Sequence, residues 1–462
     1  MTKCDVAVLG AGAAGMMAAL RAAERGRSVT LLEKNKRPGI KILMSGGTRC
    51  NVTNARGLRR AEARALSGPI DPAYNLDQGK GARSIQEAFG PNGAFLAPAL
   101  KAFSAGDTVR FFEAEGVALK IEANGKIFPV SNRAVDVLAA LVGRLKRSGA
   151  RLELSCPARA IEPLPLSRGG GFRIETPHGT LEARTLVLAT GGLSYPGCGT
   201  TGDGYGFAQR VGHTLVEPKP ALVPLKVAAS WVPELRGIAV PDAEATALPD
   251  AEVATPTTTT ATATATGRQT ATATATATAL ACARREAVLF AHFGLSGPAI
   301  LDVSSAVARL DDPTRCRLRL DFLPDLSSEA LDKTLQTESR LGRRLVETLL
   351  PAHLPHRLVQ ALLLHAGLPA DRKGPDLSRE ERKRLVRTLK TLDLPITGTL
   401  GFEKAEVTSG GVALEEVDPH TGRSLLHPDL RLVGEVLDLD GRIGGYNFQA
   451  AWSGGWLVGS TV

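Results

Sequence analysis

The chain has 462 residues, of which 43% are hydrophobic and 4% aromatic, and it carries a formal net charge of +9. This length allows two or three domains, the apolar fraction is that of an ordinary globular protein, and no run of about 18 apolar residues predicts a membrane span. The excess of positive charge permits contact with nucleic acid or anionic substrates without requiring it.

The first predicted elements are a strand, a glycine turn, a helix and a second strand that ends on an acid. The apolar run Asp5–Leu9 leads into Gly10–Gly15, which contains three glycines at the spacing GxGxxG. A helix is predicted over Met16–Arg25, and the second apolar run, Ser28–Leu32, precedes Glu33. This order is typical of a βαβ unit that binds a dinucleotide.

The three glycines and the acid have separate predicted roles. Gly10 permits the tight turn, Gly12 lets the backbone approach a pyrophosphate, and Gly15 lets the helix pack close to the sheet. The helix N-terminus offers N–H groups and its dipole to the phosphates. Glu33 lies where a carboxylate accepts hydrogen bonds from the adenosine ribose, which favours FAD or NAD over NADP.

A second glycine-rich segment follows this unit. The sequence predicts a loop over residues 34–44 and then the block Ser45–Asn54. The glycines, arginine and short polar side chains of this block suit contact with a polar ligand through backbone N–H groups and a fixed cation. Residues 55–75 are interpreted as a variable connector.

Helices and strands alternate through the rest of the first half. Apolar residues at helical spacing predict helices over 103–115, 133–148 and 206–211. Short apolar runs predict a short strand or a turn over 126–129, a strand over 151–154, a hairpin formed by 172–175 and 180–183, and a buried strand over 185–188. The buried strand ends in the glycine turn Gly191-Gly192, and this pattern resembles the second backbone crossing of two-dinucleotide-type flavoproteins.

Residues 243–282 differ in character because alanine and threonine dominate them. Thr260–Thr266 and Thr270–Thr278 alternate the two residue types. An alternation of period two predicts a hairpin, but alanine gives one face little to bury, so disorder is an equally good interpretation.

The last third of the chain returns from helices to strands. Residues 329–390 are rich in leucine and charge, with breaks at prolines and a glycine, and predict a helical segment. A strand that meets acids is predicted over Arg431–Asp438, and a helix opens within Gly441–Trp452.

The six cysteines are scattered and form no CxxC pair or metal-type spacing: Cys4, Cys50, Cys156, Cys198, Cys282 and Cys316. Neither a zinc site nor a disulfide framework is therefore predicted, and no metal is expected. Reduced thiols fit a cytoplasmic protein.

Several separated blocks together resemble one family. They are the N-terminal βαβ unit, Ser45–Asn54, Ala189–Gly192, Gly199–Tyr205, His292–Ala299, Thr408–Val412 and Gly434–Trp452. Together they resemble the BaiN/RdsA-like flavoproteins, which are aminoacetone-oxidase-like NAD(P)/FAD-dependent oxidoreductases. The sequence departs from the family pattern at Thr48, where a third glycine is usual, and in the Thr/Ala-rich segment before His292.

The resemblance implies an α/β fold in which both chain ends build a Rossmann-like FAD-binding domain of the two-dinucleotide type. A β-rich domain and a small helical subdomain are inserted into it. The expected boundaries are residues 1–204 for the first part of the FAD domain, 205–328 for the β-rich insert, 329–395 for the helical subdomain and 396–462 for the return to the flavin end.

The resemblance also implies FAD as the cofactor. The residues expected to contact it are Gly10, Gly12, Ala14, Gly15, Glu33, Lys34, Gly46, Gly47, Arg49, Asn51, Ala158, Gly191, Gly192, Gly434, Glu435, Asp438, Gly444, Gly445, Tyr446 and Asn447. Within this set, Ala158 would present its backbone to adenine, and Glu435 or Asp438 would bind ribityl hydroxyls. The helix after Gly444-Gly445 would aim its N–H groups at flavin N1 and O2.

The implied activity is that of an FAD-dependent oxidoreductase. NAD(P)H would give hydride to the flavin, which would reduce an activated C=C bond of a small molecule or a nucleobase. No second GxGxxG is present, so the nicotinamide is expected to bind transiently. His292 and Tyr446 are the candidate catalytic acids, because each lies in a block that carries the resemblance and can donate a proton. Cys50 is a further candidate as a polarising or acid group, although a buried inert thiol is the favoured interpretation.

Other functions stay open at this point. One alternative is a flavin amine oxidase that uses O₂, and another is an rRNA-modifying flavoprotein that forms dihydrouridine. A flavoprotein that binds the cofactor without turnover is a third. The expected partner is therefore a small-molecule substrate or rRNA, with no membrane association, and the sequence predicts no oligomeric state.

Overall fold

The computed structural model describes residues 2–165, 167, 169–250 and 282–462. The chain forms two compact units, of which the first comprises Met1–Pro220 with Ala405–Val462 and the second comprises Ala221–Lys404. The first unit is thus built from both chain ends. It extends beyond residue 204, the expected end of the first part of the FAD domain, because a helix and a strand between 203 and 221 belong to it.

The strands, in chain order, are β1 (Thr2–Leu9), β2 (Val29–Leu32), β3 (Thr53–Asn54), β4 (Leu119–Ile121), β5 (Lys126–Pro129), β6 (Arg151–Glu153), β7 (Ala160–Pro163), β8 (Phe172–Thr176), β9 (Gly179–Leu188), β10 (Leu215–Ala221), β11 (Leu225–Val227), β12 (Ala239–Pro249), β13 (Cys282–Ala291), β14 (Gly294–Ser296), β15 (Cys316–Asp321), β16 (Leu392–Thr399), β17 (Val407–Val412) and β18 (Leu430–Leu432).

The α-helices are α1 (Ala13–Glu24), α2 (Ile40–Thr48), α3 (Arg60–Arg64), α4 (Ala82–Glu87), α5 (Ala97–Ala102), α6 (Ala105–Ala114), α7 (Ala134–Arg147), α8 (Asp203–Arg210), α9 (Pro298–Ala308), α10 (Ser328–Glu338), α11 (His356–His365), α12 (Arg379–Lys390) and α13 (Tyr446–Thr461). Among the described residues, no helix is both long enough and apolar enough to cross a membrane.

The first unit is organised around a sheet with the strand order β6-β2-β1-β9-β8-β7, to which β18 is added beside β9. β1 pairs in parallel with β2, with Val6 opposite Val29, and also in parallel with β9, with Val6 opposite Thr185. The inner half of β1, Val6–Leu9, is fully buried, because Val6 and Val8 pack into a core cluster on one face of the sheet and Ala7 and Leu9 into another. The carboxyl end of β1 therefore opens into the glycine turn at the centre of the sheet.

The two chain ends of the first unit are joined by close packing of α1 against α13. A β-carbon at Gly455 would lie 2.4 Å from the carbonyl oxygen of Ala14, and one at Gly459 would lie 2.5 Å from that of Ala18. Only glycine allows two helix backbones to approach this closely. The C-terminal helix thereby supports the helix that begins at the glycine turn.

The second unit contains a closed barrel with the strand order β11-β14-β13-β12-β15-β16, accompanied by α9–α12. Long antiparallel strands flank the Thr/Ala-rich segment, since β12 pairs with β13 and Glu244 lies opposite Arg285. Residues 251–281, for which the sequence leaves a hairpin and disorder open, lie outside the described residues. The predicted helical segment over 329–390 contains α10, α11 and α12.

Most predicted elements of the first unit are present with shifted ends. The strand over 126–129 and the helix over 133–148 are confirmed by β5 and α7. The second strand of the predicted hairpin and the buried strand predicted after it form one long strand, β9, because no turn interrupts Gly179–Leu188. The helix predicted over 103–115 begins at Ala105, after a capping box formed by Ser104 and Asp107.

Two local predictions were wrong. The loop predicted over residues 34–44 contains a helical turn, since α2 begins at Ile40 directly after the left-handed Gly39. The strand predicted over Arg431–Asp438 ends at Leu432, because Gly434, with φ of +80°, turns the chain away from the sheet.

Candidate cofactor site

The glycine turn has a geometry that explains each of its glycines. Gly10 has φ of +100°, and a β-carbon there would lie 2.6 Å from the carbonyl oxygen of Ala189. A β-carbon at Gly15 would lie 1.9 Å from the carbonyl oxygen of Gly10. At Gly12 a β-carbon would meet nothing within 4 Å, so this position borders open space at the start of α1. The turn thus leaves room for a ligand only where the motif places the pyrophosphate.

The carboxylate of Glu33 is fixed next to this turn. Its Oε2 accepts a hydrogen bond of 2.8 Å from the backbone N–H of Ala11, and its Oε1 accepts bonds from the backbone and side-chain amides of Asn35. Glu33 is only 8% exposed. These contacts orient the acid at the end of β2, where the dinucleotide motif places its ribose-binding carboxylate.

Two other predicted contacts lie around the same end of the sheet. The Lys34 ammonium donates to Thr201 Oγ1 and to Asp203 Oδ2, each at 2.5 Å, so its charge is paired with the start of α8. Ala158 follows Cys156, whose backbone N–H donates to the carbonyl oxygen of Glu33. The structure therefore brings the segment of Ala158 next to the Glu33 strand.

The block Ser45–Asn54 has a strained backbone. Gly46 and Gly47 have φ of +57° and +66°, and Thr48 and Cys50 also adopt left-handed conformations, with φ of +67° and +60°. A β-branched residue in this region is costly, which explains why the family pattern has glycine where this chain has Thr48. Strained conformations of this kind are typical of ligand-binding segments.

The side chains of this block are partly engaged by the protein. The Arg49 guanidinium lies 3.9 Å from the ring centre of Phe128 and donates to Glu122 Oε1 at 2.7 Å. Burial raises the pKa of the Cys50 thiol to about 12, so this group stays protonated and unreactive at neutral pH. Arg49 is thus a fixed cation, and Cys50 has the properties of a structural thiol.

The far end of the chain meets this block. Asn54 Nδ2 donates a hydrogen bond of 2.8 Å to the carbonyl oxygen of Gly444. A β-carbon at Gly445, whose φ is +91°, would lie 2.6 Å from the backbone of Thr53 and 2.8 Å from Asn51 Oδ1. The structure therefore brings the block Ser45–Asn54, which is predicted to contact a polar ligand, next to the C-terminal block, which is predicted to hold the flavin end of FAD.

Helix α13 stabilises the contact of Asn51 and Asn54 with Gly444-Gly445, which we call the junction, through hydrogen bonds in the core. Gln449 Oε1 accepts a hydrogen bond of 2.6 Å from Thr53 Oγ1, and Trp452 Nε1 donates to the carbonyl oxygen of Val52 at 2.9 Å. Asn447 holds the preceding loop, because its side-chain amide bonds both the N–H and the carbonyl of Gly441. The N-cap of α13, Gly445, has no side-chain cap, which leaves the helix N-terminus open to a ligand.

Glu435 lies in a network that sequence reasoning missed. Its Oε2 accepts a hydrogen bond of 2.7 Å from Lys41 Nζ, and its Oε1 accepts bonds from Ser194 Oγ and from the backbone N–H of Thr408. Lys41 also donates to Ser194 Oγ at 2.6 Å. The one local signal for Lys41 is a charge within the apolar turn Ile40–Leu43, and its partners are distant in sequence.

Glu406 belongs to the surroundings of this network. Burial raises the pKa of Glu406, Lys41 lowers it, and Glu435 raises it. Gly192 fits beside Thr408, because a β-carbon there would lie 2.4 Å from Thr408 Oγ1. The network thus connects α2, the turn after β9 and the segment after β18.

The remaining predicted residues of the C-terminal block have defined neighbours. Asp438 Oδ1 accepts from the backbone N–H of Gly410 at 3.0 Å, and its Oδ2 accepts from Asn92 Nδ2 at 3.3 Å. Gly434 lies against Ala14, since a β-carbon there would be 3.0 Å from Ala14 Cβ. The glycine turn and the C-terminal block are therefore in contact.

The two candidate catalytic acids lie in different units. Tyr446 is 5% exposed and begins α13 in the first unit, with the Arg442 guanidinium 5.9 Å from its ring centre. His292 is exposed in the second unit, at the tip of the hairpin of β13 and β14, where its ring lies against Phe293. No buried partner orients His292 among the hydrogen bonds of the described residues, whereas Tyr446 lies at the junction itself.

This fold and site define a Rossmann-type flavoenzyme of the oxidoreductase class. A family model described as HI0933-like protein Rossmann domain matches residues 4–68 and 73–461. The chain belongs to this family. The predicted resemblance to BaiN/RdsA-like flavoproteins, the fold class with its inserted β domain and the prediction of an FAD-dependent oxidoreductase are confirmed.

Curated relatives match over nearly the whole chain. The ribosomal RNA dihydrouridine synthase of Escherichia coli (strain K12) is 31% identical, and the match covers 99% of this chain and 97% of the relative. The protein of the same name from Haemophilus influenzae is 29% identical over 98% of this chain and 97% of the relative. The 3-dehydro-bile acid delta(4,6)-reductase of Clostridium scindens is 30% identical over 98% of each chain.

Proposed function

We propose that the chain holds FAD along the first unit and reduces a C=C bond conjugated to a carbonyl group, with NAD(P)H as the electron donor. The observation that carries this proposal is the junction at which Asn54 bonds Gly444 and Asn51 lies beside Gly445. When bound, FAD supplies the two-electron redox chemistry, and the protein supplies binding and orientation.

The residues present fit this cofactor at both ends. Open space borders Gly12, where a pyrophosphate needs close approach of the backbone. At the other end, Asn51 Oδ1 is buried and has no hydrogen-bond partner. A buried acceptor without a partner costs about 1–3 kcal/mol, so a ligand with an N–H donor at this point would relieve a real penalty.

The fixed groups have distinct tasks in this proposal. Glu33 accepts from the ribose hydroxyls, and the start of α1 binds the pyrophosphate. The start of α13 directs its dipole to the ring system, which favours negative charge there. Glu435 and Asp438 are already bonded to protein groups, so they orient the loops around the ribityl chain and retain lone pairs for its hydroxyls.

The substrate class is the finer part of this proposal. The names of the relatives favour two substrates, an rRNA nucleobase and a steroid-like enone, and both contain a C=C bond conjugated to a carbonyl. The net charge of +9 is compatible with RNA. We therefore place rRNA first and a small enone second.

Anaerobic reduction of the purified protein tests the reaction type. We expect NADH or NADPH to bleach the flavin absorption and an enone to restore it. Release of peroxide with small amines in air, without bleaching by either nicotinamide, would contradict the proposal and favour an amine oxidase.

A genetic comparison tests the substrate. Dihydrouridine is mapped in rRNA from cells with and without the gene, and we expect one site to lose the modification in the deletion strain. A matched strain that carries the Gly12→Ala variant controls for loss of the protein, because we expect this substitution to leave the fold intact. Identical rRNA maps in all strains would remove rRNA as the substrate.

A further inference from the structure

Tyr74 is a buried tyrosine whose hydroxyl has no partner. The residue is 7% exposed, and its Oη is a buried polar atom without a hydrogen bond among the described residues. It comes from residues 55–75, which the sequence suggests are only a connector. Since buried polar groups are nearly always bonded, an unpartnered phenol indicates that something else meets it.

The ring of Tyr74 lies next to the junction at the flavin end. A β-carbon at Gly125, whose φ is +79°, would lie 3.0 Å from Tyr74 Cε2 and 3.3 Å from Asn54 Oδ1. Asn54 Nδ2 in turn donates to the carbonyl oxygen of Gly444. Tyr74 and Asn54 therefore both border Gly125, and Asn54 in turn is bonded to the turn before α13.

Two further buried polar atoms near this turn lack partners. They are Asn51 Oδ1, next to Gly445, and Nε of Arg442, whose guanidinium faces the ring of Tyr446. The three atoms come from separate segments and include an acceptor, a donor and a hydroxyl that can be either. A planar ligand with carbonyl and N–H groups matches this set, whereas a purely apolar ligand leaves it unsatisfied.

The ionisation of Tyr74 supports a donor role. Burial raises the pKa of this phenol, Arg56 lowers it, and Tyr446 raises it. The hydroxyl therefore keeps its proton at neutral pH and presents an O–H group to an acceptor.

We propose that the Tyr74 hydroxyl donates a hydrogen bond to a carbonyl oxygen of a conjugated ligand bound at the Gly444–Tyr446 turn. This inference rests on the proposed function and adds a residue that the predicted site lacks. The carbonyl belongs either to the cofactor ring or to the substrate, since both carry a carbonyl conjugated to the reacting bonds. In each case the bond stabilises negative charge that develops on the oxygen during reduction.

The first test compares Tyr74→Phe with Tyr205→Phe in the FAD-free protein. Tyr205 Oη donates to the carbonyl oxygen of Glu435 at 3.3 Å, so its loss should lower the melting temperature. Tyr74→Phe removes an unpartnered hydroxyl and should leave the melting temperature equal or higher. If Tyr74→Phe lowered it as much as Tyr205→Phe, the hydroxyl would be structural and the inference overturned.

The second test identifies the source of the carbonyl. If the oxygen belongs to the cofactor, Tyr74→Phe raises the Kd for FAD by about fivefold or more and shifts the flavin absorption bands. If it belongs to the substrate, both stay unchanged, and anaerobic reoxidation by 2-cyclohexen-1-one slows by about tenfold or more.

The outcomes separate this inference from the proposed function. A Tyr74→Phe protein that matches wild type in FAD affinity, absorption and reoxidation overturns the inference alone. A wild-type protein that takes up no FAD contradicts the proposed function, and the inference falls with it.

Discussion

The two ends of the candidate cofactor site are built in different ways. At the glycine turn, one short segment from Gly10 to Glu33 supplies the turn, the helix start and the acid. At the other end, Asn54 and Gly444 meet across a separation of 390 positions. One end is therefore a local motif, and the other exists only after the chain ends have come together.

Because of this difference, substitutions should damage the two ends in different ways. The glycine turn depends on the absence of side chains at Gly10 and Gly15, because the space is filled by backbone. The flavin end depends in addition on pairs of groups such as Lys41 and Glu435, which join distant segments. Substitutions at the two ends should therefore differ in how they divide between loss of fold and loss of cofactor.

The largest expected effect is at Gly15. A methyl group in Gly15→Ala would overlap the carbonyl of Gly10 at 1.9 Å, and backbone atoms cannot move aside cheaply. We expect a loss of more than about 4 kcal/mol in the free energy of unfolding, measured by denaturant titration, or no soluble protein.

Gly12→Ala is the matched control within the same turn. No atom lies within 4 Å of the added carbon, so the free energy of unfolding should change by less than about 1 kcal/mol. FAD affinity should fall by about tenfold or more, because the pyrophosphate needs this space. Unchanged FAD affinity would show that the ligand does not approach the turn here.

Gly445→Ala is the corresponding substitution at the flavin end. The residue has φ of +91°, and the added carbon would lie 2.6 Å from the Thr53 backbone. We expect a loss of about 3 kcal/mol in the free energy of unfolding, together with weaker FAD binding. Gly206→Ala, in open space on α8, should be neutral or slightly stabilising, and an equal loss there would contradict the explanation.

Lys41→Met should have a smaller effect. It removes the ammonium that bonds Ser194 and Glu435 but keeps the length of the side chain. We expect a loss of about 1–2 kcal/mol in the free energy of unfolding and an increase in the Kd for FAD. Lys41→Arg should recover part of the stability and part of the FAD affinity. If Lys41→Met bound FAD as tightly as wild type does, the network of Lys41, Ser194 and Glu435 would have no part in the site.

The smallest effect concerns Glu406 and depends on pH. Burial raises the pKa of Glu406 above its unfolded value, so the stability that its protonated form contributes is lost as pH rises through the folded pKa. The melting temperature of Glu406→Gln relative to wild type should therefore increase from about pH 4 to pH 7, by less than about 4 °C. A relative decrease over this range would reverse the sign and contradict this account.

The backbone geometry of the local end follows directly from its sequence, whereas the contacts of the assembled end depend on residues far apart in the chain. The roles of the local residues can be predicted because every dinucleotide-binding βαβ unit imposes the same steric and hydrogen-bonding requirements. These residues are Gly10, Gly12, Gly15 and Glu33. The C-terminal block was linked to the flavin end through family resemblance, whereas Asn54 was predicted only as the last residue of the block Ser45–Asn54.

The remaining residues could not be predicted because their meaning depends on distant neighbours. Lys41 is an ordinary lysine until Ser194 and Glu435 surround it. Tyr74 lies in a segment without periodicity, and only its burial distinguishes it. The early end of the strand at Leu432 likewise depends on Gly434, whose left-handed turn fits against Ala14.

The absorption spectrum of the purified protein, with the amount of FAD released on denaturation, tests the central claim most directly. We expect flavin bands and about one FAD per chain, retained after gel filtration. A colourless protein that stays colourless after incubation with FAD, while its circular dichroism shows a folded chain, would contradict the account.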